Sequence, residues 1–374
     1  MLLKEKEITV QAGITWRALI QFIDQYNLSV NVMQSYANFT VGGSLSVNVH
    51  GRYVGQGAII STVKQIKVVL ANGEVVFASP TLNKELFAAA IGGYGGLGVI
   101  AEVTLSLTDN TKIERRDTVM SIANYASYFK MGVRNNHEII FHNAVIYPNA
   151  YLKVRAISHV KTSNALTIKN RLKPIDKKLF LNRMALGFVS GSSFGKWVRK
   201  VVMDPLFYAK NPVAMRNYEA TYDVSELDPG SRSKQTYVLQ EYFVPVTAFD
   251  EFYPKMISIF KQHKVNVINV SVRHARADSL STMAWARTEV FAFVIYYKQD
   301  VMAKDRAQVK VWTRELIDAA LSVKGSYYLP YQIYATPQQF NQAYPNATLF
   351  FKTKKKYDPE YKFRNKLFDA YYKN

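Results

Sequence analysis

Thr40-Val41-Gly42-Gly43-Ser44-Leu45-Ser46, residues 40–46, sets two glycines and two serines between apolar side chains. Glycine carries no Cβ, so the backbone here can approach a bulky flat ligand closely and offer it N–H donors. Paired glycines between apolar residues also mark plain packing contacts, and alone the segment leaves both readings open. Upstream, Glu7-Ile8-Thr9-Val10 alternates as a strand, Gly13 gives a turn, and Thr15 is placed to cap a helix whose apolar residues Trp16, Leu19, Ile20 and Ile23 recur at helical spacing. Downstream, residues 64–70 and 74–78 read as apolar strands joined at Ala71-Asn72-Gly73, a hairpin signal. Residues 85–90 predict a short helix. Gly92, Gly93, Gly95, Gly96 and Gly98 then lead into a strand over 99–107, whose alternation stops at Thr108-Asp109-Asn110.

Beyond that stop the pattern changes to longer strands and amphipathic helices: strand 237–244, helix 249–263, strand 267–273, strand 290–297. Strands and helices in this series predict a sheet covered by helices on one face, an α+β arrangement. The expected organisation is a first domain over 1–110, a second over 111–326, and a segment 327–374 that returns to pack on the first.

Three further stretches follow the Gly-Gly segment in a fixed order: Asn48-Val49-His50-Gly51, then Leu86-Phe87, then Ile91-Gly92-Gly93-Tyr94-Gly95-Gly96-Leu97-Gly98-Val99-Ile100. With Ser35-Tyr36-Ala37-Asn38-Phe39 in front, this series resembles the FAD-binding domain of the vanillyl-alcohol-oxidase-like, PCMH-type flavoenzymes. It is most similar to the branch that holds decaprenylphosphoryl-ribose oxidase, the aldonolactone oxidases and alditol oxidase. The likeness continues in Leu239-Gln240-Glu241-Tyr242-Phe243-Val244-Pro245, in Val270-Ser271-Val272-Arg273-His274, and in Lys355-Lys356-Tyr357-Asp358-Pro359 with Phe363-Arg364-Asn365.

The resemblance implies a PCMH-type FAD-binding domain followed by a cap domain that shapes the substrate site over the flavin. It implies that Ser35, Asn38, Thr40, Gly42, Gly43, Ser46, His50, Gly51, Gly98 and Ile100 contact FAD, held non-covalently. His50 is read either as a residue beside the flavin or its phosphates, or as a structural histidine in the turn before Gly51. Hydride transfer from an alcohol carbon requires the hydroxyl proton to be removed or hydrogen-bonded and the carbon to be held against the ring. By resemblance Gln240, Tyr242 and Arg273 line the substrate side, although Gln240 and Tyr242 also fit ordinary strand alternation. Arg273 and His274 are neighbours on a strand, so one of them must point away from the site.

Two departures accompany the likeness. Family members carry about 70 further N-terminal residues, with a Gly- and Ser-containing loop whose N–H groups meet the pyrophosphate. The chain is therefore expected to be N-terminally incomplete as an FAD-binding domain, with a separate chain as one way of supplying the segment. In Tyr328-Leu329-Pro330-Tyr331-Gln332 the lactone-oxidase and decaprenylphosphoryl-ribose branches place a lysine at about Tyr331. Tyrosine donates a hydrogen bond but brings no fixed charge. Tyr331 and Gln332 complete the catalytic candidates.

The totals bound these expectations. The 374 residues are 48% apolar and contain no cysteine, which removes disulfides, thiolate metal sites and cysteine nucleophiles. Histidines 50, 137, 142, 159, 263 and 274 show no metal-ligand spacing, and no metal is expected. No apolar run is long enough to cross a bilayer and Met1-Leu2-Leu3-Lys4 is not a leader, so a cytoplasmic location is expected. The net charge of +20 predicts attraction to something anionic, yet no nucleic-acid recognition pattern is present and no nucleic-acid partner is expected.

The charge concentrates between 161 and 216, where twelve basic residues face only Asp176 and Asp204 among many large apolar side chains. That mixture suits peripheral contact with an anionic lipid surface; a solvated loop is the bland alternative. The expected function is an FAD-dependent oxidoreductase, oxidase or dehydrogenase, taking a hydride from a CH–OH group of a sugar, polyol, lactone or lipid-linked sugar. The alternative is a non-catalytic remnant or a subunit of a split flavoprotein.

Overall fold

The structure is a computed structural model that describes residues 4–148, 150–175, 179–227 and 231–372. Asp176, Lys177 and Lys178 of the basic stretch lie outside the described residues. The first sheet is built from β1 (Glu7–Gln11), β2 (Leu28–Val30), β3 (Val63–Val69), β4 (Val75–Ala78) and β5 (Val99–Asp109) in the order β1-β5-β3-β4, with β2 also on β5. Thr15 caps the helix Trp16–Asp24 by accepting from the Ala18 N–H, and that helix buries Trp16, Leu19, Ile20 and Ile23 against the sheet's core. The hairpin between β3 and β4 turns at Gly73, whose φ of 86° needs a residue without a Cβ.

The second sheet comprises β6 (Lys112–Ser121), β7 (Ile139–Ile146), β8 (Lys153–Lys161), β9 (Val213–Met215), β10 (Gln235–Pro245), β11 (Asn266–Ala275), β12 (Val290–Asp300) and β13 (Ser326–Tyr327). Its order is β13-β10-β12-β11-β7-β8-β6-β9, and all its pairings are antiparallel. Helices Phe249–Gln262 and Ala303–Ser322 cover one face, where Phe252 meets Phe293 edge-on and Trp312 meets Tyr297 edge-on. The fold is α+β, with a helix-covered antiparallel sheet following the smaller first sheet. The other face of the large sheet turns toward the Gly-Gly segment, and that placement creates the site.

Residues after 327 return to the first sheet's domain. Lys354 is wholly buried; its Nζ donates to the Gly96 carbonyl at 2.8 Å, to Asp358 at 2.8 Å and to the Phe363 carbonyl at 2.9 Å. Asn365 Nδ2 donates to the Tyr94 carbonyl at 2.9 Å. The Gly-rich turn before β5 is thus clamped by the last part of the chain.

Candidate active site

The Gly-Gly segment forms a short helix, Val41–Ser46, capped by Thr40, which the sequence reading did not separate from its surroundings. A Cβ at Gly42 would lie 2.8 Å from the Ala12 Cβ, so this glycine serves close packing against the turn that follows β1. The N–H groups of both glycines are engaged within the chain. Gly42 N donates to the Ala12 carbonyl at 2.8 Å and Gly43 N to Thr40 Oγ1 at 3.1 Å. Helix capping and the bond to Ala12 consume these donors first, which leaves a flat, Cβ-free surface at Gly43.

That surface is one wall of a cavity of about 620 Å³. Ser35, Tyr36, Ser44 and His50 share the wall with Gly43, and the large sheet supplies the opposite one. Strand alternation and register decide which sheet residues face in. Glu241 of β10 pairs with Val294 of β12, which pairs with Ser271 of β11, which pairs with Val145 of β7, and all four line the cavity. Two residues along, Leu239, Tyr296 and Asn269 form a parallel row that also lines it.

The same alternation overturns the placement of Gln240 and Tyr242 on the substrate side. Both face the helices: Gln240 Nε2 donates to Tyr297 Oη at 3.1 Å and to Thr313 Oγ1 at 2.8 Å, while Tyr242 Oη donates to Gln240 Oε1 at 2.7 Å. Gln332 accepts from Tyr297 Oη at 3.1 Å and belongs to this outer network, not to the cavity. The residue that faces in is Glu241, which the sequence reading passed over; its position between two residues of the opposite parity was the available signal.

Glu241 is buried at the polar end of the cavity. Its Oε2 lies 2.7 Å from His50 Nε2, and its Oε1 accepts from Tyr331 Oη at 2.5 Å. Burial pushes the Glu241 carboxyl up, but His50, Arg273 and the Tyr331 hydroxyl outweigh it and hold the group below the ordinary glutamate value. Burial, then the adjacent carboxylate, push Tyr331 well above the usual tyrosine value, so it stays a neutral donor. Arg273 also lines the cavity, with its Nε buried and unpartnered, and burial lowers its pKa against the pull of Glu241. His274 points to the other face and bonds Glu289 at 2.7 Å.

His50 is enclosed by Trp285 at 5.0 Å, Phe243 at 5.4 Å and Tyr328 at 6.1 Å between ring centroids. The chain behind it is fixed by Arg52, whose Nη1 donates to the buried Glu219 at 2.9 Å. At Gly51 a Cβ would lie 2.2 Å from the Met33 carbonyl, so that glycine is required by packing.

Of the expected FAD contacts, Ser35, Gly43 and His50 line this cavity. Asn38 is committed to Asp223 and the Val224 N–H, Thr40 to its cap, and Gly98 lies against the Val69 carbonyl at the start of β5. Ser46, Gly51 and Ile100, like Gly42, are absent from the cavity wall. A flat ring system suits what remains. Ser35 Oγ is buried without a partner on the wall that holds Gly43, and Arg273 lines the opposite wall with its Nε unpartnered. Among the described residues no cluster of three or more His, Asp or Glu is arranged to hold a metal ion.

Residues 3–79 match the family described as "FAD binding domain". The matched residues carry the Ser35–His50 wall of the cavity, and FAD is the cofactor that the match assigns to it. An FAD-dependent monooxygenase of Aspergillus niger is 35% identical over 148 residues, 36% of this chain and 24% of that protein. A mitochondrial L-galactono-1,4-lactone dehydrogenase of Brassica oleracea is 27% identical over 190 residues, 50% of this chain and 30% of that one. The matches thus span between 24% and 30% of these relatives' length. A solvent-stable cholesterol oxidase shares the fold with a TM-score of 0.71 at 14% identity, covering 97% of this chain and 81% of that one. No helix among the described residues is long and apolar enough to cross a membrane.

Proposed function

We propose that the chain is an FAD-dependent oxidoreductase that acts on CH–OH donors, with the 620 Å³ cavity as its active site. The observation that carries the reading is the buried Glu241 carboxylate, held by His50 and Tyr331, with Arg273 on the same sheet wall and its Nε unpartnered, opposite the Gly43 surface. When bound there non-covalently, FAD supplies the hydride acceptor. His50 is bonded and enclosed, which favours a positioning role over a covalent link.

The chain's own residues handle the proton. Arg273 holds the donor's hydroxyl oxygen as negative charge develops on it, in a site where water is largely displaced. Glu241, ionised by its neighbours, takes the hydroxyl proton onto a carboxylate oxygen, and His50 and Tyr331 keep the carboxylate oriented through its other lone pairs. Leu239, Ile268, Val294 and Tyr296 line the remainder, so the donor joins a hydroxylated end to an apolar body. Sugars, polyols and lactones fill the polar end alone; a lipid-linked sugar fills both, and peripheral membrane contact through 161–216 belongs with that choice.

The test is anaerobic titration of the FAD-loaded chain with a lactone, a polyol, a sterol and a prenyl-linked sugar, following bleaching of the flavin's visible bands. Bleaching by at least one of these donors supports the reading. Bound flavin that none of them bleaches overturns it, and a chain that holds no flavin favours a binding subunit.

A further inference from the structure

Between β8 and β9 the chain forms helices Leu179–Gly191, Ser193–Val198 and Asp204–Tyr208, with a wider π-helical turn at Arg199–Met203 joining the last two. Few of its large apolar side chains are buried among the described residues. Phe194 is 63% exposed, Trp197 54%, Leu206 74% and Phe207 63%. Phe188 and Phe194 meet at 6.4 Å and Phe194 stacks on Trp197 at 5.8 Å, so these rings form one continuous patch in the open. A soluble surface rarely leaves so many large apolar groups together without something to cover them.

The surrounding charge says what covers them. Residues 179–208 contain four basic residues and one acidic one, Asp204. Lys196 and Arg199 anchor the segment by donating to Asn266 at 2.8 Å and to the Ile268 carbonyl at 3.0 Å. Lys200 is half-buried, whereas Lys210, three residues after the exposed Phe207, is exposed. Apolar rings flanked by lysines match the boundary between acyl chains and anionic headgroups.

The segment also borders the cavity. Leu186 and Arg199 line it, and Val189 packs with Ile268 and Tyr296 beneath the first helix. Arg273 and Asn269 both line the cavity from β11, four residues apart, so it runs about 13 Å along that strand from the polar end to these helices. We propose that the helical segment over 179–208 docks on an anionic membrane surface and brings the apolar end of the cavity to the lipid. Docking itself is independent of turnover. Delivery of a donor from the bilayer into the cavity rests on the oxidoreductase reading above.

Of the four tryptophans, Trp16, Trp285 and Trp312 are buried at 0%, 2% and 3% exposure, which makes Trp197 the one that can report. The full chain is mixed with phosphatidylcholine vesicles with and without phosphatidylserine, and flotation is read with quenching by brominated phosphatidylcholine. Flotation and quenching are expected with phosphatidylserine and not without it. Phe194→Ser with Phe207→Ser removes two mostly exposed rings whose contacts are Phe188, Trp197, Tyr208 and the Arg115 guanidinium, so it should change the thermal unfolding curve little and lower binding about tenfold or more. Lys200→Glu and Lys210→Glu should each lower binding by about fivefold at low salt.

Failure to float with phosphatidylserine overturns the proposal, as does equal flotation of the ring variant. A concentration-dependent dimer abolished by that variant would also overturn it and assign the patch to a second copy of the chain. Flotation by a chain that reduces no flavin would leave docking standing and defeat the catalytic reading; the converse result would do the opposite.

Discussion

Replacing Glu241 by Gln is the perturbation that most directly tests the site. The carboxylate accepts from two donors, His50 Nε2 at 2.7 Å and Tyr331 Oη at 2.5 Å, while the amide has a single acceptor oxygen. One donor must then face an NH2 group. A hydrogen bond to a charged group contributes about 1.5–3 kcal/mol. The substitution also breaks the buried His50–Glu241 contact, and stranding a buried donor costs about 1–3 kcal/mol. These terms overlap, so Glu241→Gln should lose about 2–3 kcal/mol in urea unfolding near neutral pH.

The pH dependence has a definite sign. The folded carboxyl lies below its ordinary value, so its contribution is fully present above the unfolded pKa and is lost as pH falls through the folded one. The gap between wild type and variant should therefore be wide at about pH 7 and shrink below about pH 4. Turnover should fall by about 10² to 10⁴ as the base is lost. A gap that stays constant from neutral to acid pH, or a variant as stable as the parent, would refute the reasoning.

Arg273→Met should lower kcat/KM by about 10² to 10³ while leaving the urea midpoint unchanged or higher, because this guanidinium is only a desolvated cation until a donor arrives; a large loss of stability would contradict that. Gln240→Leu should do the reverse, costing about 1–3 kcal/mol through the lost partners of the Tyr242 and Thr313 hydroxyls with kcat/KM within about threefold of wild type. Lys354→Met strands Asp358 and the carbonyls of Gly96 and Phe363, and calorimetry should find a loss of about 3–5 kcal/mol. Gly51→Ala drives a Cβ into the Met33 carbonyl; a thermal melt should register about 1–3 kcal/mol, with weaker FAD retention because His50 follows the same turn.

Local signals carried much of the fold. Thr15 caps its helix, and Ala71-Asn72-Gly73 turns a hairpin, because each depends on residues a few positions apart. The face of β10 was not legible in this way. Gln240, Glu241 and Tyr242 are all polar-tipped and all buried, so alternation alone does not say which parity meets the cavity. That answer comes from pairing with β12 and from the helices 249–262 and 303–322, contacts made far away in sequence. Likewise, Gly42 and Gly43 are a marker of close approach, but what approaches Gly42 is Ala12 of the chain itself. Between 161 and 216 the composition announced charge and aromatics without showing that they would form helices with the rings left outside.

The clamp on the Gly-rich turn has a consequence for synthesis. The carbonyls of Tyr94 and Gly96 find their partners in Asn365 and Lys354, more than 250 positions later. On the ribosome, where the nascent chain grows at about 5–20 residues per second, the opening sheet must wait through the whole cap before its last loop can be secured. The two halves therefore mature together, and a chaperone that shelters the unfinished amino-terminal part should raise the yield more than one that acts after release.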